Sequence, residues 1–191
     1  LAEQLRFGGA CFDSDGETLV WLEGRSGRGV LMAEADSSQA PRELTVELSV
    51  RAEVGYGGGD FTVHGGAAYF VVHRTGRIYR QPIDKGPAKP ITPAFGQASS
   101  PVVSPDGRWL VYVHHDEDID RLAIVDTTGE RWPQILTAGH DFYMQPRFSP
   151  DGRSVAWIAW DHPNMPWDGT TLYLAPLSAD HPGLPTLGEA Q

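Results

Sequence analysis

The sequence predicts an all-β fold, a partial β-propeller of about four blades with four antiparallel strands each. An Asp-Gly or Gly-Gly pair recurs along the chain, with steps of 50, 41 and 45 residues between the second glycines. A short apolar run follows each pair, and no amphipathic helical pattern is found. A repeat in the forties with this content is typical of propeller blades. The pairs are Asp15-Gly16, Gly65-Gly66, Asp106-Gly107 and Asp151-Gly152.

Each of these pairs is predicted to join the first and second strands of a blade. Glycine adopts positive φ without a Cβ clash, and Asp supports turns through its side-chain hydrogen bonds. First strands are predicted at residues 7–12, 61–63, 101–104 and 146–149. Second strands are predicted at residues 19–22, 67–72, 110–113 and 155–160. Residues 156–160 are apolar on both faces, as expected for a sheet packed between two others.

The outer strands complete the predicted blades. Third strands are expected at residues 30–33, 78–80, 122–125 and 172–175, and fourth strands at 43–45, 90–92 and 135–137. Beyond Leu177 we expect a truncated fourth strand or a loose tail. A β-sandwich with incidental periodicity is the alternative fold. The predicted blades are residues 1–48, 49–95, 96–140 and 141–191.

Composition narrows the classes of partner. The formal net charge of −10 argues against nucleic acid, because phosphate binding needs clustered Lys and Arg. No run approaches the roughly 20 apolar residues of a membrane helix, so no membrane partner is expected. The single Cys11 excludes an internal disulfide and fits a reducing compartment, which favours a cytoplasmic location.

Two copies of one repeat and two further segments give the chain a family resemblance. Ser104-Pro105-Asp106-Gly107-Arg108 and Ser149-Pro150-Asp151-Gly152-Arg153 resemble the repeat of TolB-like and prolyl-oligopeptidase-type propellers. The segment Tyr56-Gly57-Gly58-Gly59 and the stretch 159–170, with Asp141-Phe142-Tyr143 before it, are similar to bacterial dipeptidyl aminopeptidase/acylaminoacyl-peptidase-like members of the prolyl oligopeptidase family. Those members usually carry Glu before the Tyr, where this chain has Gly55.

The resemblance implies a two-part serine peptidase. Its N-terminal propeller would have seven or so blades, and an α/β-hydrolase domain with a Ser-Asp-His triad would follow. This chain is expected to contain about four of the blades and not the hydrolase domain, because no Gly-x-Ser-x-Gly elbow occurs in it. We therefore expect no catalytic residue, cofactor or metal in this chain, and a peptide substrate only in the full enzyme.

The stretch 161–169 is the best candidate for a functional segment. It is predicted where the other units have shorter connections, and such loops are ordered by their own packing. One interpretation is structural, with tryptophans filling space between blades and Asp and Asn capping turns. The functional interpretation is a loop at the hydrolase interface or at the route of substrate access. The candidate residues are Asp161, His162, Asn164, Trp167 and Asp168.

Two further patterns mimic ligand sites. Residues 55–59 lack the last glycine of a phosphate loop, since Asp60 stands there, and a strand is predicted to follow instead of a helix. Residues 114–120 echo a calcium loop, but Arg121 and Thr127 occupy the positions that need Gly and Glu. A close backbone approach and a solvated acidic loop are the favoured interpretations, with an adventitious cation as the alternative for the second.

Three functions compete at this point. The first is a non-catalytic propeller segment that restricts access of short peptides to a peptidase active site. The second is a TolB-like module that binds proteins, and the third is an enzyme with a site at the ring centre. No paired carboxylates or metal-spaced histidines recur on the first strands, which disfavours the third. An incomplete ring leaves two sheet faces bare, so self-association through the terminal blades is expected.

Overall fold

The computed structural model describes residues 5–35, 40–54, 59–178 and 183–191. Within these ranges sixteen strands form four antiparallel four-stranded sheets, and no helix is found. In every sheet the strands pair with their neighbours in sequence order. Accordingly, the described part of the chain has no helix that could cross a membrane. The predicted all-β partial propeller is confirmed.

The strand bounds follow the predicted order of blades. Blade 1 contains β1 (Arg6–Phe12), β2 (Leu19–Arg25), β3 (Arg28–Glu34) and β4 (Arg42–Glu43). Blade 2 contains β5 (Phe61–His64), β6 (Ala67–Val72), β7 (Arg77–Pro82) and β8 (Lys89–Pro90). Blade 3 contains β9 (Gln97–Val103), β10 (Trp109–Asp116), β11 (Ile119–Asp126) and β12 (Gln134–Thr137). Blade 4 contains β13 (Phe142–Phe148), β14 (Ser154–Trp160), β15 (Thr171–Ser178) and β16 (Thr186–Leu187).

The repeated turns have repeated chemistry. In blade 3 the Ser104 hydroxyl donates to Asp106 at 2.6 Å and accepts from the Trp109 amide at 3.0 Å. In blade 4 the Ser149 hydroxyl donates to Asp151 at 2.6 Å and accepts from the Ser154 amide at 2.9 Å. Side chains therefore satisfy the turn's backbone donors locally, which is why the Ser-Pro-Asp-Gly sequence fixes where the two strands reverse.

The blades pack face to face through separate apolar clusters. One cluster joins blades 1 and 2 around Leu31 and Phe70, and a second joins blades 2 and 3 around Tyr69 and Tyr112. A third joins blades 3 and 4 and includes Trp157. All of β6 is buried because blade 2 has a neighbour on each side. The first strands of successive blades lie next to one another, as at the axis of a propeller.

Two first strands begin earlier than predicted. β9 and β13 start four residues before the apolar runs at 101–104 and 146–149, and each contains a break in register. The break coincides with positive φ at Ser100 and at Gln145, both +50°. These are β-bulges at equivalent positions, and the polar residues at them conceal the strand from a pattern of apolar alternation.

Blade 4 differs from the inner blades on its outward face. Trp157 and Ala159 of β14 are buried against blade 3, whereas Ala156 and Ile158 are only half-buried. The expectation that β14 is covered on both faces is wrong for the described residues, because no sheet packs on its far side. The short β16 does pair with β15, and Gln191 exchanges two backbone hydrogen bonds with Leu174, so the end of the chain is ordered.

Candidate functional site

The candidate loop lies in blade 4, between β14 and β15, at residues 161–170. The equivalent connections are the two-residue turns Ser26-Gly27 in blade 1 and Glu117-Asp118 in blade 3. The predicted insertion is therefore present. Because every sheet has the same strand order, these connections share one face of the propeller with the segments that link successive blades.

Two histidine–aspartate pairs hold the base of the loop. His140 Nδ1 lies 2.8 Å from Asp161 Oδ2, and His162 Nδ1 lies 3.0 Å from Asp141 Oδ2. Backbone amides reinforce both pairs, since the Asp141 amide donates to Asp161 at 2.8 Å and the His162 amide donates to Asp141 at 2.9 Å. Phe142 and Trp160 are partners in the β13–β14 ladder, which brings His140-Asp141 and Asp161-His162 to the same end of the two strands. The pairs are crossed, since each histidine bonds the aspartate of the other dipeptide.

The pairs shift the acid strength of both carboxyls. The hydrogen bond from the His140 side chain, then that from the Asp141 amide, lowers the pKa of Asp161. Hydrogen bonds from the His162 amide and then its side chain lower the pKa of Asp141. Donors that favour the ionised carboxylate thus outweigh the small desolvation, and both groups carry negative charge at neutral pH.

Aromatic rings form the floor beneath the pairs. Phe142 stacks on the buried Trp160 with ring centroids 5.0 Å apart, and the His162 ring lies 4.8 Å from Phe142. On the other side His140 packs against Tyr143 and Tyr173. Burial raises the pKa of Tyr143, which keeps its hydroxyl neutral, and this hydroxyl accepts a hydrogen bond from the His140 amide.

The tip of the loop is a compact turn. The Asn164 amide donates to the Asp161 carbonyl at 3.0 Å, and the Asp168 carboxylate accepts from the Met165 amide at 3.2 Å. The peptide bond between His162 and Pro163 is cis. Trp167 is 72% exposed at the tip, so the interpretation that it fills space between blades is wrong. The side chain of Asp168 caps the turn, whereas that of Asp161 bonds His140 and the Asp141 amide instead.

The arrangement orients two imidazoles without giving them a nucleophile. A Ser-His-Asp mechanism requires a hydroxyl at the second ring nitrogen of the histidine. Among the described residues no serine, threonine or cysteine side chain forms a hydrogen bond with His140 or His162. The geometry is suited to holding the loop in one position, and Trp167 is the group that it presents to solvent.

His140 is the residue that sequence reasoning missed. The signal was available, since a His-Asp dipeptide at 140–141 precedes one strand and an Asp-His dipeptide at 161–162 follows the next. Antiparallel pairing of those strands brings the dipeptides together. The cross-over of the pairs, in contrast, depends on side-chain orientation and does not follow from the spacing.

The acidic pattern at 114–120 is not one solvated loop, and this expectation is corrected: only its centre, Glu117-Asp118, is an exposed connection between the second and third strands. His114 to Asp116 and Ile119 to Asp120 are strand residues, joined by a tight turn in which Glu117 and Asp118 have positive φ. Asp120 is only 3% exposed, and its Oδ1 lies 2.7 Å from His115 Nδ1. Across the described ranges no group of three or more His, Cys, Asp or Glu is placed to hold a metal ion.

The Tyr-Gly-Gly-Gly segment falls largely on residues 55–58, which lie outside the described residues. The residues on either side of it are defined. Val54 is buried in the cluster between blades 3 and 4, and Gly59 exchanges backbone and side-chain hydrogen bonds with Ser100 in blade 3. The connection from blade 1 to blade 2 therefore reaches the third blade on this face.

Comparison with known proteins gives similarity at the level of structure. No family model matches the chain, and no curated protein matches it. A puromycin hydrolase structure is 27% identical with a TM-score of 0.81, covering 97% of this chain and 32% of its own. A puromycin-hydrolysing peptidase of Mycobacterium tuberculosis is 24% identical with a TM-score of 0.78, covering 98% and 32%. The chain thus spans about a third of the length of these neighbours.

TolB from Acinetobacter baumannii has a TM-score of 0.66 at 14% identity, covering 97% of this chain and 43% of its own. That likeness shows the fold alone. The fold defines the chain as a partial β-propeller, and the comparisons show that it is similar to part of prolyl-oligopeptidase-family peptidases, as the sequence resemblance indicated. Its particular likeness is to the propeller part of the puromycin-hydrolysing peptidases, which are members of that family.

Proposed function

We propose that this chain is the non-catalytic propeller segment of a prolyl-oligopeptidase-type serine peptidase, and that it restricts access of short peptides to a separate hydrolase domain. The similarity over 97% of this chain to 32% of a puromycin hydrolase carries the proposal, since it aligns nearly all of the chain with one part of a hydrolase. The loop at 161–170 supports it. Its crossed His–Asp pairs present Trp167 on the face where the segments between blades also lie.

The experiment has a genetic and a biochemical arm. The reading frame downstream of Gln191 is expected to contain a Gly-x-Ser-x-Gly elbow followed by Asp and His. The purified 191-residue chain is expected to leave aminoacyl p-nitroanilides and puromycin uncleaved. A stop codon directly after Gln191 would instead favour the TolB-like binding module. Cleavage that co-purifies with the chain would contradict the non-catalytic role.

The open face of blade 4 supports a larger ring. Leu172 and Leu174 are 69% and 50% exposed on β15, beside the half-buried Met144 and Ile158. Met144 pairs with Ile158 and Ile158 pairs with Leu172 across the ladder. Leu174 lies two residues from Leu172 on the same strand, so all four side chains share one face. We propose that the next blade of the parent propeller covers this face. Apolar faces left bare favour association, so the isolated chain is expected to pair with a second copy through it.

A further inference from the structure

A second site lies away from the candidate loop, on the side of blade 3 that faces blade 2. It is a cavity of about 290 Å³, here called the aromatic cavity. Pockets of about 300 Å³ are at the small end of those that hold ligands, so this one suits a single side chain. Its lining includes Phe95, Tyr112, His114, Trp132 and Ile135, with Asp116 and Arg121 also in contact with it.

The rings of the cavity are exposed yet ordered against one another. Trp132 is 70% exposed and Phe95 is 48% exposed, and they stack with centroids 5.8 Å apart. Phe95 also meets His114 edge to face at 5.4 Å. Large rings left in water forfeit the burial that normally stabilises them, so an exposed stacked pair beside a cavity marks a surface on which a third ring can lie.

The loop that carries Trp132 is held rigidly by one carboxylate. Asp126 accepts hydrogen bonds from the amides of Thr128, Glu130 and Arg131 at 3.0, 3.1 and 2.7 Å, and also from the Thr128 hydroxyl. Gly129, at φ +73°, lies so close to Ile91 of blade 2 that a Cβ would be 2.8 Å from its Cα. The exposed tryptophan is thus a fixed feature of the surface.

Phe95 is fixed in a similar way. Gly96 has φ +62°, and a Cβ there would lie 2.5 Å from His114 Cε1 and 2.6 Å from the His115 carbonyl oxygen. Only glycine allows the chain to pass this close to β10. The close approach places Phe95 against the imidazole, so both walls of the cavity are set before any ligand arrives.

Two unpaired charges complete the lining. Among the described residues, neither the Asp116 carboxylate nor the Arg121 guanidinium has a hydrogen-bond or ion-pair partner, although both line the cavity. Burial lowers the pKa of His114 by more than the nearby Asp116 carboxylate raises it. The imidazole in the cavity lining is therefore neutral at neutral pH. The cavity therefore offers aromatic walls, one anion and one cation.

We propose that the aromatic cavity binds an aromatic amino acid, either free or as the N-terminal residue of a peptide. The side chain stacks on Trp132 and Phe95, the α-ammonium group pairs with Asp116, and the carboxylate or first carbonyl oxygen accepts from Arg121. This zwitterionic pattern is the one that a carboxylate and a guanidinium on the same small cavity complement. The proposal does not depend on the hydrolase.

The test is titration of the purified chain with small probes, followed by NMR or calorimetry. L-Phenylalanine and the tripeptide Phe-Ala-Ala distinguish a free amino acid from a peptide end, and whichever binds more tightly identifies the source. L-Leucine is the probe without a ring, and N-acetyl-phenylalanine is the probe without an ammonium group. We expect leucine to bind at least tenfold more weakly than phenylalanine, because it cannot stack.

Variants separate the site from general effects. Trp132→Ala is expected to weaken phenylalanine binding about tenfold, whereas Trp132→Phe keeps a ring and most of the affinity. Trp167→Ala removes an equally exposed tryptophan outside the cavity and should change nothing. Asp116→Asn should weaken phenylalanine but not N-acetyl-phenylalanine. Equal binding of leucine and phenylalanine, equal loss in Trp167→Ala, or no saturation by either phenylalanine probe at about 10 mM would overturn the proposal.

Discussion

The imidazole of His140 and the carboxylate of Asp161 meet at 2.8 Å across the ends of β13 and β14. The reverse pair, His162 with Asp141, closes the same ladder at 3.0 Å. Together they attach the insertion at residues 161–170 to the segment that precedes β13. Without them the insertion would be held only by its two ends, at β14 and β15. The position of Trp167 at the loop tip follows from this attachment.

Acidification tests these pairs. The pKa of Asp161 is lowered on folding, chiefly by the hydrogen bond from the His140 side chain. The carboxylate therefore contributes to the free energy of unfolding at pH values above its unfolded pKa of about 3.9, and this contribution is lost as the pH falls through the folded pKa. Asp161→Asn should therefore lower Tm at pH 7, and its difference from wild type should disappear at strongly acidic pH. Thermal unfolding across pH measures this. Glu17→Gln, at a carboxylate that has no histidine partner among the described residues, is the control and should show no such trend.

Gly29 tests the path of the chain between blades 1 and 2. A Cβ at Gly29 would overlap the carbonyl oxygen of Val50, which crosses β3 there. Gly29→Ala is expected to destabilise the fold by about 2–3 kcal/mol, since backbone must move to relieve the overlap. Gly183→Ala is the control, because open space surrounds that position. Urea unfolding gives both values, and equal midpoints for the two variants would contradict the close crossing.

Asp126 tests the loop before β12. Asp126→Ala removes the acceptor of three backbone amides and is expected to cost about 2 kcal/mol, with faster hydrogen exchange at residues 128–131. Glu130→Ala is the matched control in the same loop, because it keeps the backbone donor and loses only an exposed side chain. If exchange at these amides were unaffected in Asp126→Ala, the carboxylate would not be what holds the loop.

His115 and Asp120 test a pair in which the carboxylate is buried and the imidazole is partly exposed. Asp120 Oδ1 lies 2.7 Å from His115 Nδ1, and its buried Oδ2 has no partner among the described residues. His115→Ala leaves the carboxylate unsatisfied and should cost about 2 kcal/mol. The double variant His115→Ala/Asp120→Ala should recover part of that loss. A double-mutant cycle with additive effects would show that the two side chains do not interact.

Leu172 and Leu174 test the open face of blade 4. Leu172→Lys/Leu174→Lys is expected to shift the isolated chain from dimer to monomer in analytical ultracentrifugation, because a charge on that face opposes burial. Val46→Lys is the control. Val46 is an apolar residue that is 65% exposed in the connection from blade 1 to blade 2, and the change should leave association unchanged. A wild-type chain that stays monomeric at high concentration would refute association through this face.

The sequence placed some strands more accurately than others. The prediction of residues 67–72 matches β6 in full, because an unbroken apolar run between Gly66 and His73 has one simple interpretation. The starts of β9 and β13 were missed because Ser100 and Gln145 form bulges with positive φ. Polar residues at a bulge interrupt the apolar alternation from which a strand is predicted. Asp120 was expected in solvent and is buried, since burial depends on the neighbouring blade and not on local polarity.

The sequence by itself determined the four-blade plan, because turn chemistry and the apolar runs are local properties that repeat along the chain. It also located the insertion at 161–169. Only the tertiary structure decided that His140 belongs to this site, that Trp167 is exposed, and that Phe95 and Trp132 share a cavity. Strand register and blade packing bring residues distant in sequence together, and those contacts fix partners and burial that no single segment encodes.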